Sequence, residues 1–361
     1  MTNSSSFFAE IDKGREGKNW GYSLGLSKLD DLTGGLTKGT YTLLFASSGT
    51  GKSSAALYSY VYSPLKEHLE DDKLNIVFIA LEMKTEYILA KLLSLYLLDK
   101  YHIRVSAKEI LSQSKDYTLP DDIYEKIQES KEWVDKVCKV LTIVDKAVNS
   151  DSLYSLMLKK LEKEGKFDNE EDHTGYHPNN PDKVILFIID HLGLIRTSNG
   201  RSKKQEIDRA SSMMVSIRNR TNMSFLVIMQ SNRAVANVER HKAGMSEAMI
   251  EDIKDSGSPS EDCEICLAVY NPAKDHKKSY RDWDVQALDG MCRSLICLKN
   301  RYGEANTIDF CYFDGKTGWF AELPKPNQIY DYSKYSNPLW CFNEDKNENV
   351  DTQKETFKFK L

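Results

Sequence analysis

The segment Ala46-Ser47-Ser48-Gly49-Thr50-Gly51-Lys52-Ser53 combines the residue types that hold a polyphosphate. Glycines at 49 and 51 let backbone N–H groups curl around an anion. Lys52 carries a cation to the β and γ oxygens, and Ser53 offers its hydroxyl to Mg²⁺. The segment follows a predicted strand and leads into a helix near Ser54, the context such a loop needs. Ala46 stands where the usual pattern opens on glycine, and a small residue keeps that turn if its φ is negative. Two carboxylates suit nucleotide hydrolysis. Asp190 closes the apolar run 184–189, where it reaches the crevice at the carboxyl end of a strand and can hold the Mg²⁺ water shell beside Ser53. Glu82 ends the predicted strand 76–81 and is placed to polarise an attacking water. Each carboxylate also has a plain structural reading, Asp190 as a turn cap and Glu82 as a first-turn helix carboxylate.

Other side chains fall into the same frame. Gln230 ends the predicted strand 225–229, and its amide offers both a donor and an acceptor, as a phosphate sensor requires. Lys299 and Arg301 alternate around Asn300 at a strand end, so both leave one face. They fit either a contact to another molecule or two solvated cations. The stretch 231–260 carries Arg233, Arg240, His241, Lys242 and Lys254 among few large apolar residues and reads as a flexible loop region or a solvated surface. In Cys263-Glu264-Ile265-Cys266 a strand register would turn the two thiols to opposite faces, which favours free thiols over zinc. His173 and His177 lie in a polar stretch with no clear partner ligands.

These groups need a scaffold that gathers strand ends. Short apolar runs at 41–45, 76–81, 141–144, 184–189 and 225–229 alternate with helical segments at 87–98 and 123–137, as a largely parallel sheet with covering helices requires. A further helix is marked by the apolar face Ile207, Ala210, Met214 and Ile217 and by a capping box from Ser202 and Gln205. Beyond Cys263 the runs 264–270, 294–299 and 307–313 come without long helices and predict an antiparallel extension. Residues 166–182 and 275–284, extending to about 292, read as exposed insertions. The tail from Pro324 to Leu361 is polar with interspersed aromatics, including Tyr330, Tyr332 and Tyr335, and is expected to lie along the surface and cover part of the core.

The chain has 361 residues, 40% of them hydrophobic, enough for one large core or two modest ones. With 49 basic against 54 acidic residues the formal charge is -5, which excludes a globally basic protein but not a local phosphate-binding loop. No secretory signal precedes Gly14, and the longest apolar run is too short for a bilayer. Seven cysteines, an odd number, suit reduced thiols and a cytoplasmic setting.

Taken together, several segments resemble the DnaB-type replicative helicases. Gly25-Leu26-Ser27-Lys28-Leu29-Asp30-Asp31-Leu32-Thr33-Gly34-Gly35-Leu36 is similar to that family's lead-in to the phosphate loop. Ile79-Ala80-Leu81-Glu82-Met83 resembles its catalytic-glutamate strand, Met229-Gln230-Ser231-Asn232-Arg233 its sensor, Lys254-Asp255-Ser256-Gly257-Ser258 its DNA-facing loop, and Lys299-Asn300-Arg301-Tyr302-Gly303 its trans-acting motif. The resemblance implies a RecA-like α/β P-loop core over 25–323, with ATP and Mg²⁺ held by residues 46–54. It also implies a ring, hexameric in the family's manner, that translocates on single-stranded DNA and unwinds duplex. Lys299 and Arg301 would reach the neighbouring subunit's nucleotide, and a primase or loader is an expected partner. Where the family has an Arg-Glu pair this chain has Lys254 and Asp255, which keeps the positive charge but not the bidentate geometry. Only residues 1–24 precede the match, so a compact, phage-like form without the helical N-terminal domain is expected, with residues 4–20 as an arm onto a neighbour. A RecA-like switch or recombination ATPase, or a loader factor with little hydrolysis, would share Lys52, Glu82 and Asp190.

Overall fold

Apolar runs without polar alternation are satisfied only in a sheet covered on both faces. In the computed structural model they form β1 (Tyr41–Ala46), β2 (Leu74–Ala80), β3 (Leu141–Val144), β4 (Val184–Asp190) and β5 (Ser224–Gln230). They are followed by β6 (Ile265–Tyr270), β7 (Cys292–Asn300), β8 (Thr307–Asp314) and β9 (Trp319–Glu322). The structure describes residues 4–342 apart from 114, 116, 199, 232–246 and 256. The nine strands make one sheet in the order β9-β8-β7-β6-β1-β5-β4-β2-β3. From β6 to β3 every pairing is parallel, and β7, β8 and β9 add antiparallel to the edge of β6. The expected α/β architecture, a mostly parallel core with an antiparallel extension, is therefore the one observed.

Alternate residues of each strand feed two cores. Leu44, Phe78, Ile188 and Ile228 face the helical rod over residues 52–68 and the helix Thr85–Tyr101. Leu43, Phe45, Ile189 and Val227 face the helices Ser150–Glu164 and Lys203–Thr221. The second of these starts with the predicted capping box, Ser202 accepting from Gln205 N. Fully buried Glu206, one turn in, accepts from Ser150 N, Ser198 N and Ser198 Oγ, which ties the connection after β4 to that helix.

Local chemistry altered several expectations. The segment 123–137 is two helices, Asp121–Glu129 and Lys131–Val140, because the buried Ser130 hydroxyl donates to Lys126 O (2.7 Å) and ends the first. The polar stretch after 165 is an exposed hairpin of Gly165–Asn169 against Thr174–Pro178. The stretch after 275 holds a two-residue pair, Ser279–Tyr280 with Trp283–Asp284. The strand expected from 264 begins at Ile265, so Cys263 precedes it and packs with Cys266 in the same core rather than across the sheet. All seven cysteines are free, and among the described residues no cluster of His, Cys, Asp and Glu could hold a metal. In the tail, Tyr335 is buried against Trp340 while Tyr330 is exposed.

Candidate active site

The parallel pairing places the carboxyl ends of β1, β5, β4 and β2 along one edge, with Ala46 in register with Gln230 and Ala80 with Asp190. The chain leaves β1 at Ala46, turns through Gly49 at φ 72° and Gly51 at φ 107°, and enters a helix at Lys52. Those two left-handed residues demand glycine, since a Cβ there is strained. A Cβ on Gly51 would also meet the Phe313 ring at 3.2 Å. Ser47 Oγ and Thr50 Oγ1 are hydrogen-bonded at 2.7 Å across the turn, and Thr50 and Lys52 are buried. Ser53 and Ser54 follow in the first turn of the helix, so the loop presents free amides, a cation and a hydroxyl around one concavity.

Arg293 supports this loop from beneath, although the sequence reading did not single it out. It lies on β7, its Nε donates to Thr50 O at 2.7 Å, and its guanidinium sits 4.5 Å from the centre of the Phe313 ring. Burial lowers its pKa to about 10. The available signal was a charged arginine among the small and apolar residues of the run Cys292 to Cys297, a costly placement without a partner.

Asp190 is 1% exposed, and neither carboxylate oxygen makes a hydrogen bond within the described structure. Burial raises its pKa to about 6, offset in part by the nearby Ser53 hydroxyl and Lys52 ammonium and raised further by Glu82. A buried, unsatisfied carboxylate next to a serine hydroxyl and a phosphate loop fits a hydrated Mg²⁺. Lys91, from the helix Thr85–Tyr101, also attracts this carboxylate, and burial lowers its own pKa. Glu82 lies two residues beyond the end of β2, not at its end as expected, and is exposed on the open side of the site.

Gln230 is half-buried at the end of β5, beside the opening of the phosphate loop. The next residue donates from Ser231 N to Ala46 O (3.0 Å) and bridges to Ile253, and Lys254 N donates to Gln230 O (3.0 Å). The segment carrying Lys254 and Asp255 is thus bonded to the strand that flanks the phosphate loop. His191, buried beside Asp190, has its pKa lowered by burial and is reached by the charges of Lys52, Glu82, Asp255 and Lys254. A Cβ on Gly193 would stand 3.0 Å from His191 Nδ1 and 3.1 Å from Asp255 Oδ2, so these groups close on one another.

The profile of the DnaB-like helicase C-terminal domain matches residues 173–322. The replicative DNA helicase DnaB of Mycoplasma genitalium is 23% identical over 323 residues, covering 87% of this chain and 58% of that protein. Its counterpart from Helicobacter pylori is 24% identical over 251 residues, covering 69% and 43%. The chain thus spans about half the length of these relatives. Among solved structures, an isolated ATPase domain superposes with a TM-score of 0.67 at 17% identity, covering 90% of this chain and 100% of that one. A DnaB-like replicative helicase solved for its interactions with primase gives 0.65 at 18% identity, covering 89% and 67%.

Over residues 173–322 the chain is similar to the C-terminal domain of the DnaB-like helicases, and it shares their fold.

Lys299 and Arg301 stand apart from the chain's own phosphate loop. Lys299 is in register with Cys266, itself opposite Leu43, so about 10 Å of strand separates it from the end of β1. Lys299 Nζ donates to Ser260 O (2.7 Å) and Glu261 O (2.8 Å), and Arg301 Nη2 to Glu261 O (3.0 Å). The predicted loop region is more structured than expected. Gly257 leads into a helix, Ser258–Asp262, with Pro259 in its first turn, where its missing N–H costs nothing. Ser258 Oγ donates to Asp208 Oδ1 at 2.8 Å, so this hydroxyl is held against the helix Lys203–Thr221. Lys254, Asp255 and Gly257 are exposed. Arg233, Arg240, His241, Lys242 and Ser256 lie outside the described residues.

Proposed function

We propose that the chain is the motor of an ATP-dependent, ring-forming replicative helicase that moves on single-stranded DNA and unwinds duplex. The observation that carries this reading is the joint at the end of β5. The residue flanking the phosphate loop, Gln230, accepts from the backbone of Lys254, the first residue of the DNA-facing segment. A change of phosphate occupancy beside Gln230 therefore displaces the cation that meets DNA. ATP binds on residues 46–54 with Lys52 on its β and γ oxygens. Ser53 and Asp190 hold Mg²⁺, which when bound neutralises charge developing on the phosphates. Glu82, exposed on the open side, orients and deprotonates the attacking water.

The second half of each site comes from a neighbour. Lys299 and Arg301 point away from their own nucleotide, and an arginine supplied in trans raises hydrolysis by roughly 10³ to 10⁵. They, Gln230 and the cradle form the catalytic set, and assembly, as a hexamer, completes it. The N-terminal helix Ser4–Arg15 supports assembly, since Phe7, Phe8 and Ile11 stand exposed on it and suit an arm laid on the next subunit. Lys254, with Asp255, Ser256, Gly257 and Ser258 around it and Arg233, Arg240 and Lys242 nearby in sequence, contacts the DNA backbone in the channel without reading bases. A primase or loader docks on the ring, and the setting is the cytoplasm of a bacterium or phage-infected host. No described helix is long and apolar enough to cross a membrane.

The test is steady-state ATP hydrolysis across protein concentration, with and without single-stranded DNA, with Lys52→Ala as the blank. A steep rise with concentration and stimulation by DNA are expected. Hydrolysis that ignores DNA would favour a switch or loader ATPase and overturn the helicase reading.

A further inference from the structure

The antiparallel extension sends a second cation to the phosphate loop. Lys274 sits in the turn Pro272–Asp275 that follows β6, and its Nζ donates to Ser48 O at 2.5 Å. The ammonium also lies 3.9 Å from where a Gly49 Cβ would stand, at the rim of the concavity formed by the loop amides. The contact joins residues more than two hundred apart in sequence, and its geometry is built. Asn271 Oδ1 accepts from Ala273 N (3.1 Å) and Lys274 N (3.4 Å), and Pro272 is buried beneath, so the turn that presents Lys274 is fixed at its root.

An exposed lysine ordinarily keeps its ammonium in water or pairs it with a carboxylate. Lys274 has no carboxylate partner among the described residues and spends one donor on a carbonyl at the loop tip. An ammonium has three donors, so two remain for oxygens entering the concavity. The carbonyl of Ser48 accepts from Lys274 at the loop tip, and the cation stands beside Gly49 at the mouth of the concavity, within reach of a polyphosphate seated on the loop amides.

We propose that Lys274 is a further nucleotide-binding residue, a cation supplied in cis that reaches the polyphosphate chain from the tip of the loop. The proposal rests on the nucleotide-site reading above and adds a specificity element to it. Each additional phosphate brings charge within reach of a cation that a monophosphate does not engage. A charge-assisted contact of this kind is worth about tenfold in affinity.

The experiment is equilibrium binding of a fluorescent non-hydrolysable ATP analogue, with AMP as competitor, to the full chain in Mg²⁺. The proteins are wild type, Lys274→Ala, Lys274→Arg and Lys52→Ala, and unfolding midpoints are recorded in parallel. Lys274→Ala is expected to weaken the triphosphate about tenfold and AMP less than twofold, with an unchanged midpoint, and Lys274→Arg to recover most of the loss. Triphosphate binding by Lys274→Ala within twofold of wild type would overturn the proposal and leave Lys274 a latch on the empty loop. Equal loss for triphosphate and AMP would overturn it as well, because a distorted loop does not discriminate between them. If wild type binds no better than Lys52→Ala, the nucleotide-site reading itself fails, a result separable from the other two.

Discussion

Replacing Asp190 by Asn should stabilise the metal-free protein while abolishing its hydrolysis. The Asp190 pKa stands at about 6 against 3.8 for the free side chain, with burial as the main cause. At ~1.4 kcal/mol per tenfold, holding the ionised carboxyl in the fold at pH 8 costs about 3 kcal/mol. Neither oxygen makes a close hydrogen bond, and the amide oxygen can still accept from the nearby Ser53 hydroxyl, so the substitution forfeits little. The sign follows from proton counting. Between pH 3.8 and about 6 the folded protein keeps a proton that the unfolded chain has released. Stability therefore falls as pH rises through that window and stays lowered above it. Urea unfolding in EDTA, without nucleotide, should give a higher midpoint for Asp190→Asn at pH 8. The gap should approach zero as pH falls towards 4, where wild-type Asp190 is neutral when folded. Adding Mg²⁺ and ATP should stabilise wild type far more than the variant. A variant no more stable than wild type at pH 8, or a gap that does not change with pH, would refute the claim that an uncompensated charge is held for a cation.

Arg301→Ala should bind nucleotide normally yet lose hydrolysis by roughly 10³ or more, and mixing it with Lys52→Ala should restore part of the activity through hybrid interfaces, as measured by steady-state turnover. Glu82→Gln should retain nucleotide binding and lose turnover, which single-turnover kinetics would register as a stall after binding. Arg293→Met should lower kcat for ATP and raise KM, because Thr50 O loses its buried donor and the loop its support; unchanged kinetics would assign Arg293 to packing alone. Glu206→Gln should destabilise the fold by about 1–3 kcal/mol at pH 7, since an amide nitrogen then faces the Ser150 and Ser198 donors. Those hydrogen bonds hold the Glu206 pKa down to about 2, so the difference is present above pH 4.5 and disappears as pH falls through about 2 in an acid titration of stability.

The phosphate loop was legible because its chemistry is local: glycines, lysine and serine at fixed spacing specify a turn with inward amides whatever surrounds it. Strand positions were legible for a similar reason, since unalternating apolar runs are satisfied only in a covered parallel sheet. Asp190 and Gln230 were read correctly as strand ends because a polar residue closing such a run must emerge at the edge. Sequence periodicity failed where a local side-chain bond or a distant group decided the outcome. Ser130 broke a helix whose apolar period ran on, because its hydroxyl took the Lys126 carbonyl. Cys263 and Cys266 share a core because the strand starts between them, a boundary set by pairing with β1 and β7. Arg293 and Lys274 could not be joined to the phosphate loop from spacing, since only the pairing of β6 with β1 and of the antiparallel extension with β6 brings residues more than two hundred positions apart within hydrogen-bond range. The sequence by itself determined which groups stand in the loop and at the strand ends proposed to bind and hydrolyse a nucleotide. Tertiary structure decided which of them meet in one chain, and it turned Lys299 and Arg301 away from their own phosphate loop because the antiparallel strand that carries them runs towards the opposite edge of the sheet.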